Sequence, residues 1–215
     1  MTVMTKKRIL CFGDSNTWGY DPATGNRFEG RWPRELARLL GSGYELIEEG
    51  QNGRTIALED PWEWGTKRGL DYCLPMIESH KPLDLIIIML GSNDLKRKFS
   101  LPAPDIAGSL MTMIEKMTAH LKFYNQTPDT KILIIAPPHL GDGVLETDFA
   151  PFFNEYSVEQ SKLLAKWYSY VAERCGCEFL DASEFVKASD TDCLHLTEEG
   201  HSILAKAVFD KIEKI

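Results

Sequence analysis

No apolar run in this sequence approaches the ~20 residues needed to cross a bilayer. The longest, LDLIIIML at residues 83–90, is far shorter and contains an acid. The leading MTVMTKK carries lysines, and the RILCF that follows is too short for the apolar core of an export signal, so none is expected. Positive charge is scarce as well: 24 Lys and Arg against 32 Asp and Glu leave a formal charge of -8. Without a basic surplus to neutralise phosphates, a nucleic-acid partner is not expected. The five cysteines (Cys11, Cys73, Cys175, Cys177, Cys193) are odd in number, and their one close pair is C-x-C. That is neither a disulfide framework nor a zinc spacing, and it fits reduced thiols in a cytoplasmic protein. Internal repeats, low-complexity stretches and linkers are missing too, so residues 1–215 are expected to form one domain.

Strand-like and helical patterns alternate along the chain. Strands are expected at residues 8–12 (RILCF), 44–48 (YELIE), 83–90, 131–136 (KILIIA) and 178–180 (EFL). The run at 83–90 is apolar on both faces, as in the middle of a parallel sheet. Helical stripes lie at 32–40, 104–123, 154–175 and after Thr197. This alternation predicts an α/β fold, a three-layer α/β/α domain with a flavodoxin-like five-stranded parallel sheet. Ligands of such sheets bind at the carboxyl ends of the strands. The unusual polar segments fall there: GDSN at 13–16, GQNGRT at 50–55, GSND at 91–94 and the loop 137–149.

Three chemistries compete for these loops. A phosphate site is weakened by the absence of G-x-x-x-x-G-K-[ST] and of G-x-G-x-x-G after the first strand, and by the acid Asp14. A flavodoxin-like module for a phosphate-bearing ligand stays open as the alternative of another class. A response-regulator reading would use Asp14 and Asp94, but it has no clearly placed lysine after the fourth strand. A serine hydrolase explains more residues. Serine needs a base to take its proton, a group to orient that base, and donors for the oxyanion. In DTDCLHLT, Asp192 and His195 are three residues apart, so an aspartate oxygen can reach Nδ1 and leave Nε2 free for a serine. G-x-S-x-G is absent, so the usual α/β-hydrolase elbow is not the source of that serine.

FGDSNTWG, GQNGRT, LGSND and DCLHLT, in this order and spanning nearly the whole chain, resemble the four blocks of the GDSL/SGNH hydrolases. KRILCFGDSNTWGY, ELIEEG and PLDLIIIMLGSND most resemble the bacterial arylesterase/perhydrolase subgroup, with asparagine where leucine often follows the serine. The resemblance implies Ser15 as nucleophile, His195 as general base and then acid, and Asp192 as its orienter. It implies an oxyanion hole from the Ser15 N–H, the Gly53 N–H and the Asn93 side chain. It also implies a small-molecule ester substrate, no metal, no cofactor, no membrane or nucleic-acid partner, and a homo-oligomer. The activity expected is hydrolysis of small acetyl or aryl esters through an acyl-enzyme, with acyl transfer or perhydrolysis beside it. Carbohydrate O-deacetylation is the alternative within the fold.

Each residue also has a plainer reading. Ser15 could cap a helix; Asn93 and Asn52-Gly53 could be turns. Asp14 and Asp94 read as structural acceptors, Arg54 as a brace for the second block, and His201 as a helix residue. Trp18 and His139 are expected in the substrate pocket, with Tyr20 and Phe152-Phe153 as further candidates for its lining. Trp62 and Trp64 are expected at a subunit interface or in loop packing, and Lys96-Arg97-Lys98 on a solvated face.

Overall fold

The computed structural model describes residues 6–123 and 130–215. Five strands, β1 (Lys7–Gly13), β2 (Tyr44–Gly50), β3 (Leu85–Met89), β4 (Lys131–Ala136) and β5 (Glu178–Asp181), form a wholly parallel sheet in the order β2-β1-β3-β4-β5. This is the flavodoxin-like order expected from the sequence, with strand ends shifted by up to two residues. The chain changes direction of travel across the sheet between β1 and β3, and the crevice for a ligand opens there.

The strands alternate their side chains between two cores. Leu10, Phe12, Ile86, Ile88, Ile132 and Ile134 face one way and meet α3 (Gly69–His80), α4 (Ala103–Phe123) and α6 (Leu164–Cys175). Ile9, Cys11, Ile87, Met89, Leu133 and Ile135 face the other way and meet α2 (Trp32–Leu40) and α7 (Glu198–Ile212). Burying each such side chain contributes about 1.5–3 kcal/mol, and this is why β3 is apolar throughout. The stripe Ile106, Leu110, Met113, Ile114, Met117 and Leu121 of α4 is buried along its whole length.

Two helices differ from expectation. Helix α3 is not in the sequence reading; Pro75 interrupts its pattern, yet the helix runs through it. The stretch 154–175 is not one helix but α5 (Glu155–Ser161) and α6. At the break the Ser161 hydroxyl donates to the Val158 carbonyl (2.7 Å) and accepts from the Leu140 N–H (3.1 Å), so it serves the loop after β4 instead of the helix surface.

Register brings the functional loops together. Gly13 of β1 pairs with Gly50 of β2 on one side and Met89 of β3 on the other, so three strands end on one line. The turn α1 (Ser15–Trp18) follows β1 at once and packs backbone to backbone on the end of β2. A β-carbon on Gly50 would come within 2.3 Å of the Trp18 nitrogen, so only glycine permits this approach. Among the described residues no helix is long and apolar enough to cross a membrane, and no group of three or more His, Cys, Asp or Glu is arranged to hold a metal ion.

Candidate active site

Ser15 is the first residue of α1, and the cap is its neighbour: the Asp14 carboxylate accepts from the Asn16 N–H at 3.0 Å. The helix-cap reading of Ser15 therefore falls to Asp14, and the Ser15 hydroxyl is left for other work. Its Oγ lies 2.9 Å from His195 Nε2. His195 Nδ1 lies 2.6 Å from Asp192 Oδ2. A carboxylate only accepts, so Nδ1 carries the proton and Nε2 accepts from the Ser15 hydroxyl.

The loop before α7 builds this arrangement locally. Asp192 Oδ1 accepts from the Leu194 N–H (3.0 Å), the His195 N–H (2.9 Å) and the Ser189 hydroxyl (3.0 Å). Burial pushes the Asp192 carboxyl up, but the His195 ring and these N–H groups outweigh it and hold it below the usual carboxylate range. Cys193 takes a left-handed φ of 57° to turn the chain between acid and base. Thr197 then caps α7, its hydroxyl accepting from the Gly200 N–H at 3.0 Å. The His195 ring packs on Tyr20 at 4.3 Å between centroids and against the edge of Phe149 at 5.5 Å.

Asn16 joins the two ends of the chain at this point. Its side-chain amide donates to the Leu194 carbonyl (3.3 Å) and accepts from the Leu196 N–H (2.9 Å), the two residues flanking His195. The position is buried, so both bonds are shielded from water. Sequence reading noted Asn16 only as a departure from leucine; its partners lie 178 and 180 residues away. Asn16→Leu is expected to cost about 2–4 kcal/mol by leaving a buried carbonyl and N–H unpaired. It is also expected to lower kcat roughly tenfold by loosening His195. Urea unfolding and steady-state kinetics check both; wild-type values in both would remove Asn16 from this role.

Gly53 and Asn93 line the same cleft as Ser15 and His195. Gly53 has a φ of 81°, suited to glycine. The Asn93 amide is fixed by donating to the Arg54 carbonyl at 3.1 Å, and its second N–H is not needed for that bond. Arg54 donates to the Gly13 carbonyl (2.8 Å) and also to that of Glu49, tying the second block to the end of β1. Burial lowers its guanidinium to about 10. The Asp94 carboxylate accepts from the Ile56 N–H at 3.0 and 3.1 Å and ties the β3 loop to the same block. Burial raises Asp14 to about 6 and Asp94 to about 7. His201 is wholly buried; that burial lowers it to about 3, so it stays neutral, with Nδ1 accepting from the Trp32 N–H at 3.4 Å.

The cleft holds about 160 Å³ and has Tyr20, Phe149, Phe152, Phe153 and Leu194 as its apolar lining. Tyr20 and Phe152-Phe153 thus stand beside Ser15 and His195. Trp18 is not among the lining residues, and its ring lies under the Arg27 guanidinium at 5.4 Å. The left-handed Gly19 turns the chain so that Tyr20, not Trp18, meets His195. His139 is also displaced. It lines a separate cleft with Leu140, Asp142 and Lys187. The solvated-face reading of 96–98 is corrected at Lys96, which is buried against Asp60 and Glu63, and at Lys98, which pairs with the same Asp60. Trp62 and Trp64 are exposed at 68% and 96%.

A serine hydroxyl hydrogen-bonded to a histidine that an aspartate orients can add to an ester carbonyl. Comparison with known proteins gives the same class. Residues 11–203 match the GDSL-like lipase/acylhydrolase family. A carbohydrate acetylesterase from Sinorhizobium meliloti is 34% identical, with a TM-score of 0.89 over 97% of this chain and 99% of that one. The aryl esterase of M. smegmatis is 34% identical, with a TM-score of 0.86 over the same shares. A lipase/acylhydrolase from Enterococcus faecalis, 18% identical at a TM-score of 0.64 over 97% and 96%, shares the fold. No curated protein sequence matches the chain. The chain belongs to the GDSL-like lipase/acylhydrolase family and is a carboxylic ester hydrolase.

Proposed function

We propose that the enzyme hydrolyses small acetyl and aryl esters through an acyl-enzyme on Ser15, with His195 as base and Asp192 as its orienter. The observation that carries this reading is the continuous chain from Ser15 Oγ through His195 to Asp192, at 2.9 and 2.6 Å. As Oγ bonds to the carbonyl carbon, its proton passes to Nε2 and the carbonyl electron pair moves onto oxygen. The N–H groups of Ser15 and Gly53 and the free N–H of Asn93 receive that charge. Collapse breaks the bond to the leaving oxygen, which takes the proton from His195. Water then repeats the sequence and releases the acid. Asp192 keeps Nδ1 protonated throughout and stabilises the imidazolium.

The cleft is smaller than the roughly 300–1,000 Å³ of pockets for drug-sized ligands, which favours short acyl chains. An acceptor other than water, an alcohol or a peroxide, could take the acyl group at the same step. The likeness to a carbohydrate acetylesterase supports deacetylation of sugars as a second reading within the same mechanism. An aryl phosphonate is expected to label Ser15 alone and stoichiometrically with loss of phenyl acetate turnover. A peptide map that places the label on another serine rejects the assignment.

A further inference from the structure

The cleft is lined by polar residues as well as aromatic ones. Asn52, Glu63 and Lys96 join Gly53 and Asn93 in it, and Lys96 Nζ also lies 5.9 Å from the Phe152 ring centroid. Glu63 comes from the segment 59–66 and lays its carboxylate directly on Gly53. A β-carbon at Gly53 would come within 3.0 Å of Glu63 Cδ and Oε2. The carboxylate is held from behind: Lys96 Nζ donates to Glu63 Oε1 at 2.8 Å and to Asp60 Oδ2 at 2.9 Å. With its side chain only 5% exposed, Lys96 is part of the wall and not a mobile surface cation.

That leaves Oε2. Lys67 Nζ is 3.9 Å from it and gives its hydrogen bond to the Asn52 carbonyl at 2.8 Å. Among the described residues nothing donates to Glu63 Oε2. In the same wall, the side-chain Oδ1 of Asn52 is buried without a partner. Beside the candidate oxyanion glycine, therefore, two acceptor oxygens, Glu63 Oε2 and Asn52 Oδ1, have no donor among the described residues. Two acids (Asp60, Glu63) stand against three lysines (Lys67, Lys96, Lys98), so no net negative charge draws a cation. A neutral donor suits the two oxygens, and a second carboxylate does not.

We propose that Glu63, held by Lys96, is a specificity-determining residue that accepts a hydrogen bond from a hydroxyl group of the ester. It selects partially acylated diols and polyols over plain alkyl esters of the same size. The inference rests on the esterase reading above and names the substrate class for that site. A site built to hold a hydroxyl discriminates strongly against an analogue that lacks it, because its own polar groups are then stranded.

Three probes separate the cases: 2-hydroxyethyl acetate, 2-methoxyethyl acetate, which caps the donor, and phenyl acetate as a reference. The expected result is a kcat/KM for the hydroxyethyl ester about tenfold or more above the methoxyethyl ester. In Glu63→Ala that ratio falls to about one. In Glu63→Gln, which keeps a carbonyl acceptor, part of the preference survives. Turnover of phenyl acetate with no hydroxyl preference in the wild-type enzyme overturns this inference alone, as does a ratio unchanged in Glu63→Ala. A wild-type enzyme inert toward all three overturns the esterase reading and this one with it.

Discussion

Ser15→Ala is expected to lower kcat/KM for phenyl acetate by about 10⁴-fold or more, with the protein still folded. The hydroxyl makes one hydrogen bond, to His195 Nε2, and its removal leaves only that cleft-lining nitrogen without its partner. Asp14 continues to cap α1. Stability should therefore change by less than about 1 kcal/mol, and circular dichroism with urea unfolding checks this. His195→Ala should fall almost as far. The double variant should fall little further, because the two residues act as one unit and their losses do not add. Activity within a few-fold of wild type in Ser15→Ala would end the assignment of the nucleophile.

Asn93→Ala should cost about 10²–10³-fold in kcat while leaving KM nearly unchanged. The split follows from the timing of the charge. In the proposed oxyanion role, the amide N–H would meet a carbonyl oxygen weakly in the bound ester and an anion strongly in the transition state. Asn93 also braces Arg54 through a 3.1 Å bond, so a modest loss of stability, about 1 kcal/mol, should accompany the change. The position is a cleaner test than Gly53. A side chain at Gly53 would strain a positive φ and press on Glu63 at once, adding these two effects to any change in catalysis. A variant whose KM rises while kcat holds would place Asn93 in ground-state binding instead.

Much of the sheet and of the site could be read from the residues themselves, for reasons that differ by element. The strands were visible because a parallel sheet buries both faces and leaves continuous apolar runs such as 85–89. Asp192 and His195 were visible because their pairing is local, three residues within one loop. Helix α3 was hidden by Pro75, and the break after Ser161 by a hydroxyl whose partner is Leu140 in another loop. Lys96 was misread because its acids, Asp60 and Glu63, sit more than thirty residues away, and a run of cations resembles a wetted surface until they are brought up. Asn16 was overlooked for the same reason at greater range. Trp18 and His139 were placed by proximity along the chain to the nucleophile and to a site-edge loop, while the turns at Gly19 and after β4 sent them elsewhere.

The distance along the chain between Ser15 and His195 has a consequence for how the protein comes to life. The acid and base can meet as soon as the loop 189–195 forms, but the serine joins them only when α7 has docked on α2 and the first and last tenths of the chain are side by side. Closing a loop of that length is among the later and more costly contacts in folding. Esterase turnover is therefore a reporter of completed assembly. During refolding it should return only after the sheet and its helices have regained their spectroscopic signal.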